Sequence, residues 1–171
     1  MSAAAVIDSI EFARGEQSVV GSLPVASLTR LEDVLFDNEG AVSYEVRGGR
    51  SARNRPQLEL RITGRLHLQC QRCLGLLNHA VDVTNILLLV APGAQTDDEV
   101  DDPEAPDVIE GNPELDVAGL IEDELLLSLP LAPRHPEGAC ASRIGDAVGD
   151  ETRLQTAFAK LAGLKRPHNK H

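Results

Sequence analysis

The chain has 171 residues, 42% of them hydrophobic, which is enough for one domain with a real core. Aromatic residues make up only 2%, so Leu, Val, Ile and Ala must build that core, and base stacking is excluded as the main way of gripping nucleic acid. The net charge of -11 is unevenly spread. No Lys or Arg occurs between Arg72 and Arg134, a span with fourteen Asp and Glu residues, whereas arginines crowd residues 47–72 and lysines the C-terminus. The start Met1-Ser2-Ala3-Ala4-Ala5 has neither a charged region nor a long apolar run, and no stretch has the length of a bilayer span. A cytoplasmic protein with reduced thiols is therefore expected, and three cysteines, an odd number, argue against a disulfide framework.

In chain order, residues 6–14 read as a first strand through Val6, Ile7, Ile10 and Phe12. Residues 27–35 read as a short helix capped by Ser27, with Leu28, Leu31 and Leu35 at helical spacing. Val42, Tyr44 and Val46 alternate as in a strand, and residues 47–55, rich in Gly, Ser and Arg, read as a hairpin loop. Residues 57–70 carry the clearest pattern. Leu58, Leu60, Ile62, Leu66, Leu68 and Cys70 point one way, and Gln57, Glu59, Arg61, Thr63, Arg65, His67 and Gln69 the other, a half-buried strand with a wet face. Gly64 interrupts the apolar face and predicts a bend or bulge. Val81 and Val83 precede Ile86-Leu87-Leu88-Leu89-Val90, a run expected to be covered on both faces.

Composition then turns to Pro, Gly, Asp and Glu, predicting a flexible acidic loop over about 92–113, with Asp107-Val108-Ile109 a short strand inside it. Asp116 is placed to cap a helix over 117–128 that Pro130 ends, and Pro133 and Pro136 keep the next segment extended. A last helix over 151–162 leads into a basic tail, about 164–171. The sum is a single α+β domain over 1–171, built on an antiparallel β-meander or small barrel with a few flanking helices.

Two groups of residues carry chemistry. Cys70 and Cys73 form a C-x-x-C turn, and His135 with Cys140 can supply a second pair, which together match the donor set of a structural zinc site. The competing reading is three thiols buried as small hydrophobes. A redox pair fits less well, because the motif does not open a helix. The second group is Arg47, Arg50, Arg53, Arg55, Arg61, Arg65 and Arg72, whose guanidinium forks suit phosphate oxygens and predict contact with RNA or a partner. The alternatives are an ordinary solvated face or neutralisation of the acidic segment within the chain. Glu122-Asp123-Glu124 reads as a solvated or partner-facing helix edge, since consecutive helical residues do not face one another. His67 and His79 read as isolated. No catalytic constellation is visible, and four protein ligands would leave a metal without an open position for substrate, which disfavours a hydrolase.

Cys70-Gln71-Arg72-Cys73-Leu74 after the alternating strand resembles the YceD-like family of large ribosomal RNA subunit accumulation proteins. So do Leu115-Asp116-Val117 leading into Ile121-Glu122-Asp123-Glu124-Leu125-Leu126-Leu127-Ser128-Leu129-Pro130, with Pro133, His135 and Cys140 following, and the tail Phe158-Ala159-Lys160-Leu161-Ala162-Gly163-Leu164-Lys165-Arg166. The resemblance covers most of residues 57–166. It implies a bacterial cytoplasmic protein needed for normal 23S ribosomal RNA levels, acting in large-subunit assembly or precursor maturation with no enzymatic activity. Its partners would be ribosomal RNA, large-subunit ribosomal proteins or assembly factors. An adaptor for an rRNA-processing enzyme that does not itself touch RNA is the alternative.

Overall fold

The computed structural model describes residues 5–93 and 106–140. Two strands, β1 (Val6–Ile7) and β7 (Leu115–Asp116), form a small antiparallel sheet. The main sheet has five strands in the order β2 (Ser18–Pro24), β3 (Ala41–Arg50), β4 (Pro56–Gln69), β5 (Leu76–Val90) and β6 (Asp107–Glu110). β2 to β5 run as an antiparallel meander, and β6 joins parallel to β5 through Leu87↔Asp107 to Val90↔Glu110. The sheet stays open, so the α+β meander is observed and the barrel alternative is not. α1 (Ser9–Arg14), two 3-10 turns (Val25–Ser27 and Thr29–Leu31) and α2 (Val117–Ser128) contribute to the core against one face of the sheet.

The alternation along β4 produces that core directly. Leu58, Leu60, Ile62 and Leu66 are fully buried, and Leu68 and Cys70 continue the row. Val42, Tyr44 and Val46 of β3 flank it on one side, with Val81, Leu87 and Leu89 of β5 on the other. Burying each such aliphatic side chain contributes roughly 1.5–3 kcal/mol. Leu88 is also buried, so the expected cover on both faces holds for Leu87–Leu89, whereas Ile86 is exposed and Val90 half-buried.

Several expectations change. Only Val6–Ile7 is extended in the expected first strand. Asp8 then caps α1, its Oδ1 accepting from the N–H groups of Ile10 and Glu11 at 3.1 and 3.0 Å. The expected helix over 27–35 is replaced by the two 3-10 turns. Ser27 does not cap it; its hydroxyl donates to Pro24 O, while Leu28, Leu31 and Leu35 still reach the core. β3 runs on to Arg50, so the hairpin loop shrinks to residues 51–55, closed by Ser51 N–H donating to Arg55 O at 2.8 Å. Gly64 makes no bulge, since it pairs in register with Val42 and Val81. A Cβ there would lie 3.0 Å from Val42 Cγ1, a tight fit that a side chain would relieve only by shifting Val42. At Gly48 a Cβ would lie 2.4 Å from Phe12 O, which lets α1 sit against β3.

The short strand expected at 107–109 is present as β6, and α2 spans the predicted residues with Asp116 accepting from Ala118 N–H at 3.0 Å. Residues 94–105 of the predicted acidic loop, the helix predicted over 151–162 and the basic tail lie outside the described residues.

Candidate metal centre and arginine face

β4 delivers Cys70 as the last inward position of its alternation, fully buried beneath the sheet's end. The chain then turns tightly. Leu74 N–H donates to Cys70 O at 2.8 Å, and Cys70 N–H to Gly75 O at 3.0 Å, before β5 leaves at Leu76. Leu74 takes the left-handed conformation (φ 57°), which turns the backbone back and leaves its side chain about half exposed. The other half of the site arrives from α2. Pro130 follows the end of α2, and Gln71 N–H donates to Pro133 O at 2.8 Å, docking residues 131–140 against the turn.

All four predicted ligand residues meet here: the donor atoms of Cys70, Cys73, His135 and Cys140 lie within 4.8 Å of one another. Cys70 Sγ is 3.8 Å from Cys140 Sγ, while His135 Nδ1 is 3.5 Å from Cys73 Sγ and 3.7 Å from Cys140 Sγ. A tetrahedral zinc ion with bonds of about 2.3 Å to sulfur and 2.0–2.1 Å to nitrogen needs edges of about 3.8 Å and 3.5 Å between those atoms. These three separations are close to those edges, and the remaining pairs lie within 4.8 Å. His135 Nε2 lies 2.9 Å from Leu76 O, so Nε2 carries a proton there, and Nδ1 is the ring nitrogen that faces the sulfurs. These four residues are therefore close enough to bind a metal.

The electrostatics favour anionic sulfur at Cys70 and Cys140 and oppose it at Cys73. Burial pushes the Cys70 thiol up, but the backbone N–H groups of Cys73, Arg72 and His135 outweigh it and bring the group down to about 5. Cys140 is likewise lowered: burial opposes, and hydrogen bonds from Arg72 and His135 prevail. At Cys73 the Gly75 N–H pulls downward, but burial and the neighbouring sulfurs win and raise it. His135 is raised, chiefly by Cys140 and by the carbonyl of Leu76.

The arginines do not form one patch. Arg61 and Arg65 lie on the exposed face of β4, as its alternation predicts, and Arg47 shares that face from β3. Carboxylates are interleaved with them: Arg47 pairs with Glu45 at 2.8 Å, Glu45 stands opposite Arg61, and Arg47 stands opposite Glu59. Arg50 reaches Asn54 Oδ1 at 3.3 Å, and Arg53 and Arg55 belong to the 51–55 loop, each engaged by other groups. Arg72 stands apart from all of these, its side chain turned into the cysteine site.

Two features escape a reading of the sequence. His67 is not isolated: Asp37 grips its Nδ1 at 2.8 Å, and Glu39 lies within reach. The Glu39 N–H, more than His67, lowers Asp37 against the effect of burial. Thirty residues separate the pair, and no local pattern announces it. The second is α2's acidic triplet, which is not a solvated edge. Glu122 is buried and accepts from Arg30 N–H at 2.7 Å, Glu124 is buried and accepts from Asn85 Nδ2 at 2.9 Å, and only Asp123 is exposed, paired with the Arg30 guanidinium. Between α2 and the edge strand β6 lies a groove of about 460 Å³, floored by Leu87, Ile109 and Leu120 and bordered by Asp107, Asp123 and Glu124.

Comparison with known proteins places the chain. The family model described as "Large ribosomal RNA subunit accumulation protein YceD" matches residues 58–165. The chain belongs to the YceD family. The matched span includes the β4–β5 hairpin, both halves of the cysteine site and α2. A curated YceD protein of Haemophilus influenzae, carrying the same description, is 28% identical over 171 residues, covering 94% of each chain. No solved structure matches. Among the described residues, no helix is long and apolar enough to cross a membrane.

Proposed function

We propose that this protein is a non-enzymatic cytoplasmic factor that supports accumulation of 23S ribosomal RNA, acting in large-subunit assembly or rRNA processing, and that Cys70, Cys73, His135 and Cys140 hold a structural zinc ion. The family match and the description of the Haemophilus influenzae relative carry the first part. The gathering of the four donors within 4.8 Å, three of their separations near those a tetrahedral zinc needs, supports the second. Four protein donors leave no coordination position for substrate, which supports a structural role and weighs against metal-dependent hydrolysis. The partners are ribosomal RNA, a large-subunit ribosomal protein or an assembly factor. Arg47, Arg50, Arg53, Arg55, Arg61 and Arg65 are the proposed contact residues, in a face whose interleaved carboxylates keep the attraction weak and salt-sensitive.

Sedimentation of cell extracts, followed by crosslinking, tests this reading. Co-migration with large-subunit precursors and crosslinks to ribosomal RNA or protein are expected. A protein that stays at the top of the gradient and crosslinks to no ribosomal component overturns it.

The groove between α2 and β6 supports a second reading, an adaptor that binds a processing enzyme without touching RNA. Its apolar floor and three carboxylates suit a basic, leucine-bearing segment of a partner. Replacing Arg47, Arg50, Arg53, Arg61 and Arg65 with Gln separates the two readings: direct RNA binding would weaken, whereas an adaptor would keep its partner.

A further inference from the structure

Arg72 occupies the middle of the C-x-x-C turn, but its guanidinium does not join the arginines of the sheet face. Nε donates to Cys140 Sγ at 2.9 Å. Nη2 donates to the carbonyls of His135 and Pro136, at 3.3 and 3.2 Å. One planar group thus holds a sulfur donor and two carbonyls of the segment that carries the imidazole donor. The main-chain N–H of the same residue serves Cys70 Sγ. Arg72 therefore touches both halves of the site, which are separated by more than sixty residues of chain.

Charge supplies a second reason for an arginine here. Three thiolates and a neutral imidazole around a divalent ion leave a net charge of -1 in a half-buried setting. A guanidinium against one sulfur cancels it, and arginine is less strongly hydrated than lysine and so loses less on burial. Geometry also selects arginine. A lysine ammonium is a point donor and cannot span a sulfur and two carbonyls as a fork does.

We propose that Arg72 is a positioning residue of the metal centre, a forked clamp that fastens residues 135–140 across the cysteine turn and balances the charge of the Cys3His set. This rests on the zinc reading above. It also assigns Arg72 a task other than the RNA or partner contact expected of it alongside the other arginines.

The test uses the full chain, reduced and untagged, with zinc and then cobalt as probes. Wild-type protein should take up one metal ion, and its cobalt form should show thiolate-to-cobalt charge transfer. In competition with a chromophoric chelator, Arg72→Gln should bind zinc about 10–100-fold more weakly, the range for loss of a group that orients a ligand. Arg72→Lys should fall between the two. Arg14→Gln, in α1 and away from the site, should match wild type. Zinc affinities of Arg72→Gln and wild type within about two-fold of each other would overturn the clamp and leave the metal site standing. Wild-type protein that takes up neither zinc nor cobalt overturns the metal reading itself. Should the Gln variant fail to fold, the Lys variant decides: an affinity equal to wild type overturns the clamp, and weakened binding supports it.

Discussion

The turn joining β4 to β5 and the outer face of the β3–β4 hairpin hold the molecule's two sets of functional candidates, and they are built on opposite plans. At the turn, four donors drawn from two distant stretches of chain converge to within 4.8 Å, each oriented by backbone or side-chain hydrogen bonds. On the face, arginines are spread over two strands and a loop and alternate with Glu45 and Glu59. A coordination site must place lone pairs to within tenths of an ångström, so its residues need orienting partners of their own. Attraction to a polyanion sums charge over a broad surface, and no single residue there has to be exact. The first plan makes each residue indispensable, and the second makes each nearly replaceable.

Single substitutions should expose that asymmetry. Cys140→Ser should lower zinc affinity by at least about 100-fold, read by metal analysis of purified protein and chelator competition. Unchanged affinity would mean that this sulfur is no ligand. On β4 itself, Ile62→Ala should cost about 2–5 kcal/mol in urea unfolding, because it opens a cavity in the core, whereas Arg61→Gln beside it should stay within about 0.5 kcal/mol. Equal costs would show that the two faces are not energetically distinct. For the face, Arg47→Gln combined with Arg61→Gln should reduce the salt slope of any RNA binding by about two, one per phosphate contact, with stability nearly unchanged.

The smallest expected effect concerns acid. The folded-state pKa of Asp37 lies below its ordinary 3.8, so the stability it contributes is present above that value and fades as pH falls through the lowered one. Asp37→Asn should therefore flatten the slope of the unfolding profile only below about pH 4, and near neutrality lower stability slightly without changing the slope. A profile that changes instead near pH 7 would contradict this assignment.

How much of this was legible in the sequence depends on how local the signal is. The alternation of residues 57–70 and the Asp116 cap are encoded in neighbouring residues, and both elements form where those patterns place them. The four donors could be nominated from ligand type and spacing, yet their convergence is set by the Pro133–Gln71 contact, which no local pattern encodes. At residues 27–35, apolar spacing is satisfied equally well by consecutive 3-10 turns, so periodicity chose the wrong element. At residues 6–14 a usable sign was present: Asp8 followed by Glu11 is a helix-start pattern, outweighed there by the apolar residues on either side. Arg72 and Glu122 show one limit of composition. It presents a charged residue as a surface residue, and only tertiary contacts show that Arg72 reaches Cys140 and that Glu122 is buried against the Arg30 N–H.

The span between Cys73 and His135 covers 62 positions. Joining its ends through one ion would restrict the unfolded chain much as a covalent cross-link does. By loop-closure entropy that restriction is worth about 4 kcal/mol. Everything from β5 to α2 lies inside this ring, acidic stretch included, so a chelator should lower the melting temperature of the whole sheet and not only loosen one corner of it.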